Sequence, residues 1–228
     1  MRILFVRHGH PNYELDCLTE LGKLQAAAAA ERLKDEGIEE IYGSTCGRAY
    51  ETAEYTAKKL GLPIHECPFM REIHWGSTDD LPLEEDGHPW FAAWKMASRG
   101  EDLTCADWET RGEFPRNKVV ASVGVVVDGF DAWLQRLGYT REGLYYRAGE
   151  NTGRTAAMFS HGGASSAVLS HMLNVPFPLF CGCHEIDFTS VTVVDLPDEP
   201  GKLVMPFVRE MNDARHIRGI TVENFYGN

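Results

Sequence analysis

The sequence predicts an α/β fold: a three-layer sandwich with a mostly parallel central sheet, helices on both faces and an inserted cap segment. Three observations carry this expectation. Short, nearly all-apolar runs, RILFV at 2–6 and TAAMFS at 155–160, have the composition of strands buried on both faces. Such runs alternate with helix-forming stretches in the order strand, helix, strand, helix. The 228 residues, 43% of them hydrophobic, are ample for one sizeable core and at most a subdomain beside it.

Each element follows from local chemistry. TELGKLQAAAAAERLK (19–34) is rich in Ala, Leu, Glu and Lys, with Thr19 as a candidate N-cap and Gly37 just past the end. EEIYG (39–43) reads as a second strand and 47–60 as a second helix, stopped at Gly61 before Pro63. A brief extended piece follows at 63–66. From 73 to 115 the character changes: four of the five tryptophans (Trp75, Trp90, Trp94, Trp108) share this stretch with ten Asp/Glu and three Lys/Arg. It is expected to be an insertion over the sheet edge that caps a pocket, within one domain spanning 1–228. A long helix is expected over 116–137 despite its valine-rich centre. A strand at 155–160, a helix at 163–173 and strands at 190–196 and 202–209 complete the order.

Charge and cysteine usage narrow the partners. A formal charge of −12 argues against nucleic acid or an anionic membrane surface. No apolar run approaches a membrane span, and no charged-then-apolar leader precedes Arg2. Cys17, Cys46, Cys67, Cys105, Cys181 and Cys183 are scattered without regular spacing, as expected of reduced thiols in a cytoplasmic protein. Oligomeric state is left open.

The strand ends carry the chemistry. The first strand runs into FVRHGH and the strand at 155–160 into SHGG, so a buried strand twice ends in His-Gly. Parallel strands deliver their carboxyl ends to one sheet edge, which lets His8 and His161 converge. Glycine after each histidine lets backbone N–H groups approach a ligand, and the helix start at Gly163 favours an anion. After the second strand, GSTCGRAYETA places Ser44 or Thr45 near a helix N-terminus and Arg48 on its first turn. Arg7, His8, Arg48 and His161 thus gather two permanent positive charges and two imidazoles, and their natural ligand is a phosphoryl group.

RHG after the first strand, LTELGKLQA at 18–26, SxxxRAxxTA at 44–53, REIHWG at 71–76 and SHGG at 160–163 resemble the histidine phosphatase superfamily. That superfamily includes cofactor-dependent phosphoglycerate mutases and many phosphomonoesterases. NDARHI (212–217) is similar to a further C-terminal signature. The resemblance implies that His8 is the nucleophile and forms a phosphohistidine, while Arg7, Arg48, His161 and Gly162 hold the phosphate. It also implies that Glu72 protonates the leaving oxygen. The chemistry needs no metal and no cofactor, because arginine and histidine supply the positive charge.

The expected function is therefore a phosphomonoesterase for a small phosphorylated metabolite. A phosphoglycerate mutase is the alternative, and a non-catalytic phospho-ligand binder a third. Glu14 stands where the family often has asparagine, unwelcome beside a phosphate unless it turns away or meets a cationic or hydroxyl-bearing substrate. Asn12, Tyr13 and Glu14 are therefore candidate contacts. CGCH at 181–184 lacks a second ligand pair for zinc, which leaves packing as the expectation and His184 open. Cys105 and Arg111 have the Cys-x5-Arg spacing of cysteine-dependent phosphatases, but no glycine lies between them, and Asp107 and Glu109 would repel an anion. No Gly-x4-Gly-Lys-Ser/Thr loop is present.

Overall fold

The computed structural model describes residues 1–150 and 152–222. In chain order its elements are β1 (Arg2–Arg7), β2 (Pro11–Asn12), β3 (Cys17–Leu18), α1 (Glu20–Leu33), β4 (Glu40–Gly43), α2 (Gly47–Leu60) and β5 (Ile64–Glu66). There follow α3 (Pro89–Ser98), α4 (Val119–Arg136), a hairpin of β6 (Tyr139–Glu142) and β7 (Tyr145–Ala148), β8 (Thr155–Ser160) and α5 (Gly162–Leu173). The chain closes with α6 (Phe177–Cys183), β9 (Val191–Asp195), β10 (Leu203–Val204) and β11 (Phe207–Asp213).

The central sheet has the order β11-β9-β1-β8-β4-β5. β1, β8, β4 and β5 are mutually parallel, β9 runs antiparallel to β1, and β11 runs antiparallel to β9 at the border. Strand β1 shows why the sheet is buried on both faces. Ile3 and Phe5 point into a core shared with α4 and α5, including Phe130, Trp133 and Val168. Leu4 and Val6 point the other way, into a core with Leu33 of α1 and Ala53 and Ala57 of α2. One alternating strand thus feeds two helix layers.

Helix boundaries follow the capping chemistry. Thr19 is the N-cap of α1, its Oγ1 accepting from the Gly22 N–H at 3.1 Å. Gly61 ends α2 in the left-handed conformation at φ 68°. Helix α5 starts one residue earlier than expected, so His161 itself occupies the N-cap position.

The expected strand at 202–209 is two pieces. β10 joins the hairpin in a separate three-stranded sheet, and β11 edges the central sheet. The CGC of 181–183 ends helix α6 instead of forming a free turn. Residues 73–115 are mostly irregular around α3, which packs on α6. Trp108 and Phe114 join the core against each other at 5.0 Å, Trp108 lying 5.5 Å from Phe177. Arg116 holds Asp79 through two hydrogen bonds at 2.8 and 3.1 Å, tying the two ends of the segment together. Among the described residues, no single helix is long and apolar enough to cross a membrane.

One close approach sets the entry to the site. A Cβ on Gly22 would lie 2.2 Å from the His10 carbonyl oxygen, so α1 presses backbone to backbone on the chain just after His8. Alanine gains about 1 kcal/mol of helix propensity over glycine. The obstacle, however, is backbone that cannot swing away, and over-packing of this kind costs about 1–3 kcal/mol. Gly22→Ala is expected to lower the thermal midpoint by several degrees, because the clash outweighs the propensity gain. A midpoint at or above the wild type would show that the contact relaxes freely.

Candidate active site

Register brings the site together before any side chain is considered. Arg7 pairs with Ser160 across β1 and β8, and Gly43 with Phe159 across β4 and β8. The next residues, His8, His161 and Ser44, therefore emerge side by side at the carboxyl edge. The His8 N–H donates to the Ser160 carbonyl at 2.9 Å, and the Ser44 N–H to Phe159 at 2.9 Å. The His8 and His161 rings lie 5.1 Å apart between centroids. Arg48 reaches the same place from the first turn of α2, its Nε 3.3 Å from His8 Nε2.

The tautomer of His8 follows from its partners. Its Nδ1 lies 2.7 Å from the Gly9 carbonyl oxygen, which can only accept, so Nδ1 carries the hydrogen. Nε2 then keeps its lone pair, and Arg48 Nε–H donates toward it. Burial, followed by the charges of Arg7 and Arg48, pushes the His8 pKa down to about 3. The ring is therefore neutral near pH 7. His161, also buried, is held well below the usual imidazole range by burial and by the cations around it. Its Nε2 lies 2.9 Å from Ser44 Oγ, and its Nδ1 is buried without a partner among the described residues.

Each arginine has a neighbour that holds it. Arg48 Nη1 lies 2.5 Å from Asp16 Oδ1, while Asp16 Oδ2 accepts from the Gly47 N–H at 2.8 Å. One carboxylate thus fixes both Arg48 and the start of its helix. Arg7 donates to the Ile186 carbonyl and lies over the Phe188 ring, 4.2 Å from its centroid. Its Nε is buried without a partner among the described residues.

Glu72 sits against the same edge. Its Oε1 accepts from the Ile73 N–H at 3.0 Å and the Ala164 N–H at 3.1 Å. Burial nevertheless pushes its carboxyl above the usual range. Gly163 explains the second glycine of SHGG, since a Cβ there would lie 2.6 Å from Glu72 Oε1 and 2.4 Å from Ile73 Cγ1. Gly162 lies beside Arg7, where a Cβ would stand 3.6 Å from Nε. A cleft of about 600 Å³ is lined by Arg7, Glu72 and Gly162 together with Trp75, Trp90 and Trp94 of the inserted segment.

All six residues singled out in the sequence, Arg7, His8, Arg48, Glu72, His161 and Gly162, therefore lie at this edge or line its cleft. Of the doubtful loop, Asn12 turns inward on itself, its Oδ1 accepting from the N–H groups of Glu14 and Leu15 at 3.1 Å each. Tyr13 lines the cleft with its ring 5.3 Å from the Arg48 guanidinium carbon, and Glu14 is exposed. His184 stacks on Phe180 at 4.6 Å and also lines the cleft, while burial pushes the Cys181 thiol up to about 12. Arg111 turns to Asp107 at 3.2 Å, and the Cys105 thiol is pushed up by partial burial and by Asp102, so the Cys-x5-Arg spacing forms no phosphate loop. Sequence reasoning missed Asp16, Phe188 and Ile186. Asp16 stands between the RHG and LTELGKLQA motifs, and nothing local to it shows that it faces Arg48.

The fold and the edge define a class: a three-layer α/β sandwich whose parallel strands bring two imidazoles and two guanidiniums together at one sheet edge. Residues 3–123, just over half of the chain, match the histidine phosphatase superfamily (branch 1), and the chain belongs to that superfamily. It is similar to the probable phosphoglycerate mutase GpmB of Photorhabdus laumondii, 35% identical over 100 residues, or 38% of this chain and 46% of that protein. The corresponding protein of Yersinia pestis is 30% identical over 93 residues, or 37% of this chain and 43% of that one. The chain thus matches less than half the length of these relatives. Among solved structures, mycobacterial glucosyl-3-phosphoglycerate phosphatase covers 92% of this chain, and 98% of its own chain is covered, at TM-score 0.61 and 20% identity. Phosphoserine phosphatase from Entamoeba histolytica, in complex with 3-phosphoglyceric acid, covers 95% with 99% of its own chain covered, at 0.63 and 18% identity. These likenesses establish the fold.

The depressed histidines have a measurable consequence. An unfolded imidazole binds a proton below its ordinary value of 6.5, whereas folded His8 does not until about 3. Between these values the unfolded state holds more protons, so acid favours unfolding by about 1.4 kcal/mol per pH unit for each such histidine. Urea midpoints are expected to fall from pH 6.5 toward pH 4.5, and His8→Asn to lose less over that range than wild type. Parallel curves would show that His8 takes its proton normally in the fold.

Proposed function

We propose that the protein is a phosphomonoesterase that works through a phosphohistidine on His8, without metal or cofactor. The observation that carries this reading is the neutral His8 ring, whose Nε2 carries a lone pair rather than a proton and accepts from the Arg48 Nε–H at 3.3 Å. Nε2 attacks phosphorus and the bond from phosphorus to the alcohol oxygen breaks. Arg7, Arg48, His161 and the backbone at Gly162 gather the phosphoryl oxygens as charge develops on them. The unpartnered Arg7 Nε and His161 Nδ1 are buried polar atoms that such oxygens would satisfy. Glu72, protonated more readily than an ordinary carboxyl, gives its proton to the departing alkoxide. It then takes a proton from a water whose oxygen attacks phosphorus, the N–P bond breaks, and phosphate and neutral His8 are left.

Hydrolysis is preferred to phosphoryl return because residues lining the cleft are open to water: Tyr13 is 66% exposed and Trp94 51%. The mutase reading rests on the names of the sequence relatives. We further read the chain as one domain with 73–115 as its cap, acting on a small phosphorylated substrate in the cytoplasm. Residue 151 and residues 223–228 lie outside the described part of that domain.

Glu72→Gln should slow esters of poorly leaving alcohols, such as sugar phosphates, far more than p-nitrophenyl phosphate, whose anion leaves unaided. Equal losses on both would remove Glu72 from the acid role. His8→Ala is expected to abolish turnover and the acid-labile phosphate trapped by rapid quenching of wild type, while circular dichroism stays native. Covalent phosphate persisting on that variant would end the assignment.

A further inference from the structure

We propose that the cleft selects phosphomonoesters whose alcohol carries a positive charge, an ammonium alcohol and best an N-methylated one. The proposal rests on the phosphomonoesterase reading and concerns the half of the substrate that leaves. Trp75, Trp90, Phe91 and Trp94 of the inserted segment all line the cleft. Two of their indole N–H groups are already used, Trp90 donating to the His184 carbonyl at 3.4 Å and Trp94 to the Gly182 carbonyl at 2.9 Å. What these two rings still offer a ligand is therefore chiefly π surface.

The rings stand as walls. Phe91 and Trp94 meet at 89°, and His88 meets Trp75 at 60° and Phe91 at 66°. A planar base stacks on parallel faces, whereas steeply inclined faces enclose a compact, rounded group. A trialkylammonium head is such a group, and the negative π faces attract it.

Charge points the same way. Among the described residues lining the cleft, Arg7 is the only lysine or arginine, and it is committed to the phosphate. The acids there are Glu72 and Glu185, and the exposed Glu185 side chain has no partner among the described residues. A carboxylate-bearing leaving group such as glycerate would find acid and π faces with no further cation. A sugar would find stacking but nothing to use Glu185. An ammonium head meets both features.

The test compares initial rates of the full chain on phosphocholine, on its uncharged carbon isostere with tert-butyl in place of trimethylammonium, on phosphoglycerate and on a nucleoside monophosphate. Para-nitrophenyl phosphate serves as a general reporter of turnover. The expected result is a kcat/KM for phosphocholine about tenfold above the isostere, the size of a partly desolvated cation–π contact, and further above phosphoglycerate. Trp94→Leu combined with Glu185→Gln should bring the phosphocholine-to-isostere ratio toward one, and Trp94→Phe should keep most of it. Turnover of p-nitrophenyl phosphate with an isostere, phosphoglycerate or nucleotide preferred would overturn the charge assignment alone. No phosphate release and no trapped phosphohistidine from any ester would overturn the phosphomonoesterase reading and this inference together.

Discussion

The structure turns on an imidazole that is denied a proton. His8 is buried beside two guanidiniums, and each of those conditions disfavours its cationic form. The same burial would make the guanidiniums costly were they not held. Arg48 has Asp16, and Arg7 has the Ile186 carbonyl and the Phe188 face. The site therefore concentrates positive charge without placing any of it on the His8 ring, which keeps its lone pair for the nucleophilic role proposed for it.

Motifs that look like isolated signatures turn out to be parts of one brace. Thr52, in the motif that also supplies Arg48, accepts from the Gly9 N–H at 3.1 Å and donates to the Arg48 carbonyl at 2.7 Å. Gln25, in the motif of α1, accepts from the His10 N–H at 2.8 Å. His216, in the C-terminal signature, lies 3.1 Å from Thr189 Oγ1, and the Thr189 N–H reaches the His8 carbonyl at 3.3 Å. Three distant segments thus fix the few bonds on either side of His8, which suits a centre where small misplacements are expensive in rate.

The parallel core of the fold and the clustered strand-end residues were legible in the sequence because apolar runs and their abrupt polar ends are local signals. β1 and β8 show as runs of apolar residues with Arg7, His8 and His161 at their ends, and β4 shows as the short stretch EEIYG before a helix. The hairpin Tyr139–Ala148 was not legible in the same way. Its strands face the core only through alternate residues, Tyr139, Tyr146 and Ala148, and charged neighbours dilute the pattern. Nor could the division of 202–209 between two sheets be read, because pairing partners decide it. Asp16 was invisible for a related reason: its value lies in a contact with Arg48, far along the chain.

The antiparallel side of the sheet carries a consequence for how copies of the chain meet. β11 is an outer strand, and its register against β9 slips twice, between Val208 and Glu210 and again between Glu210 and Asp213. The opposite border is β5, only three residues long. A row of unpaired N–H and C=O groups recruits a foreign strand only where it is long and regular. Bulges on one border and brevity on the other interrupt that row, so the central sheet ends in two blunt borders. Resistance to strand-by-strand aggregation is thus built into the same sheet that carries the histidines.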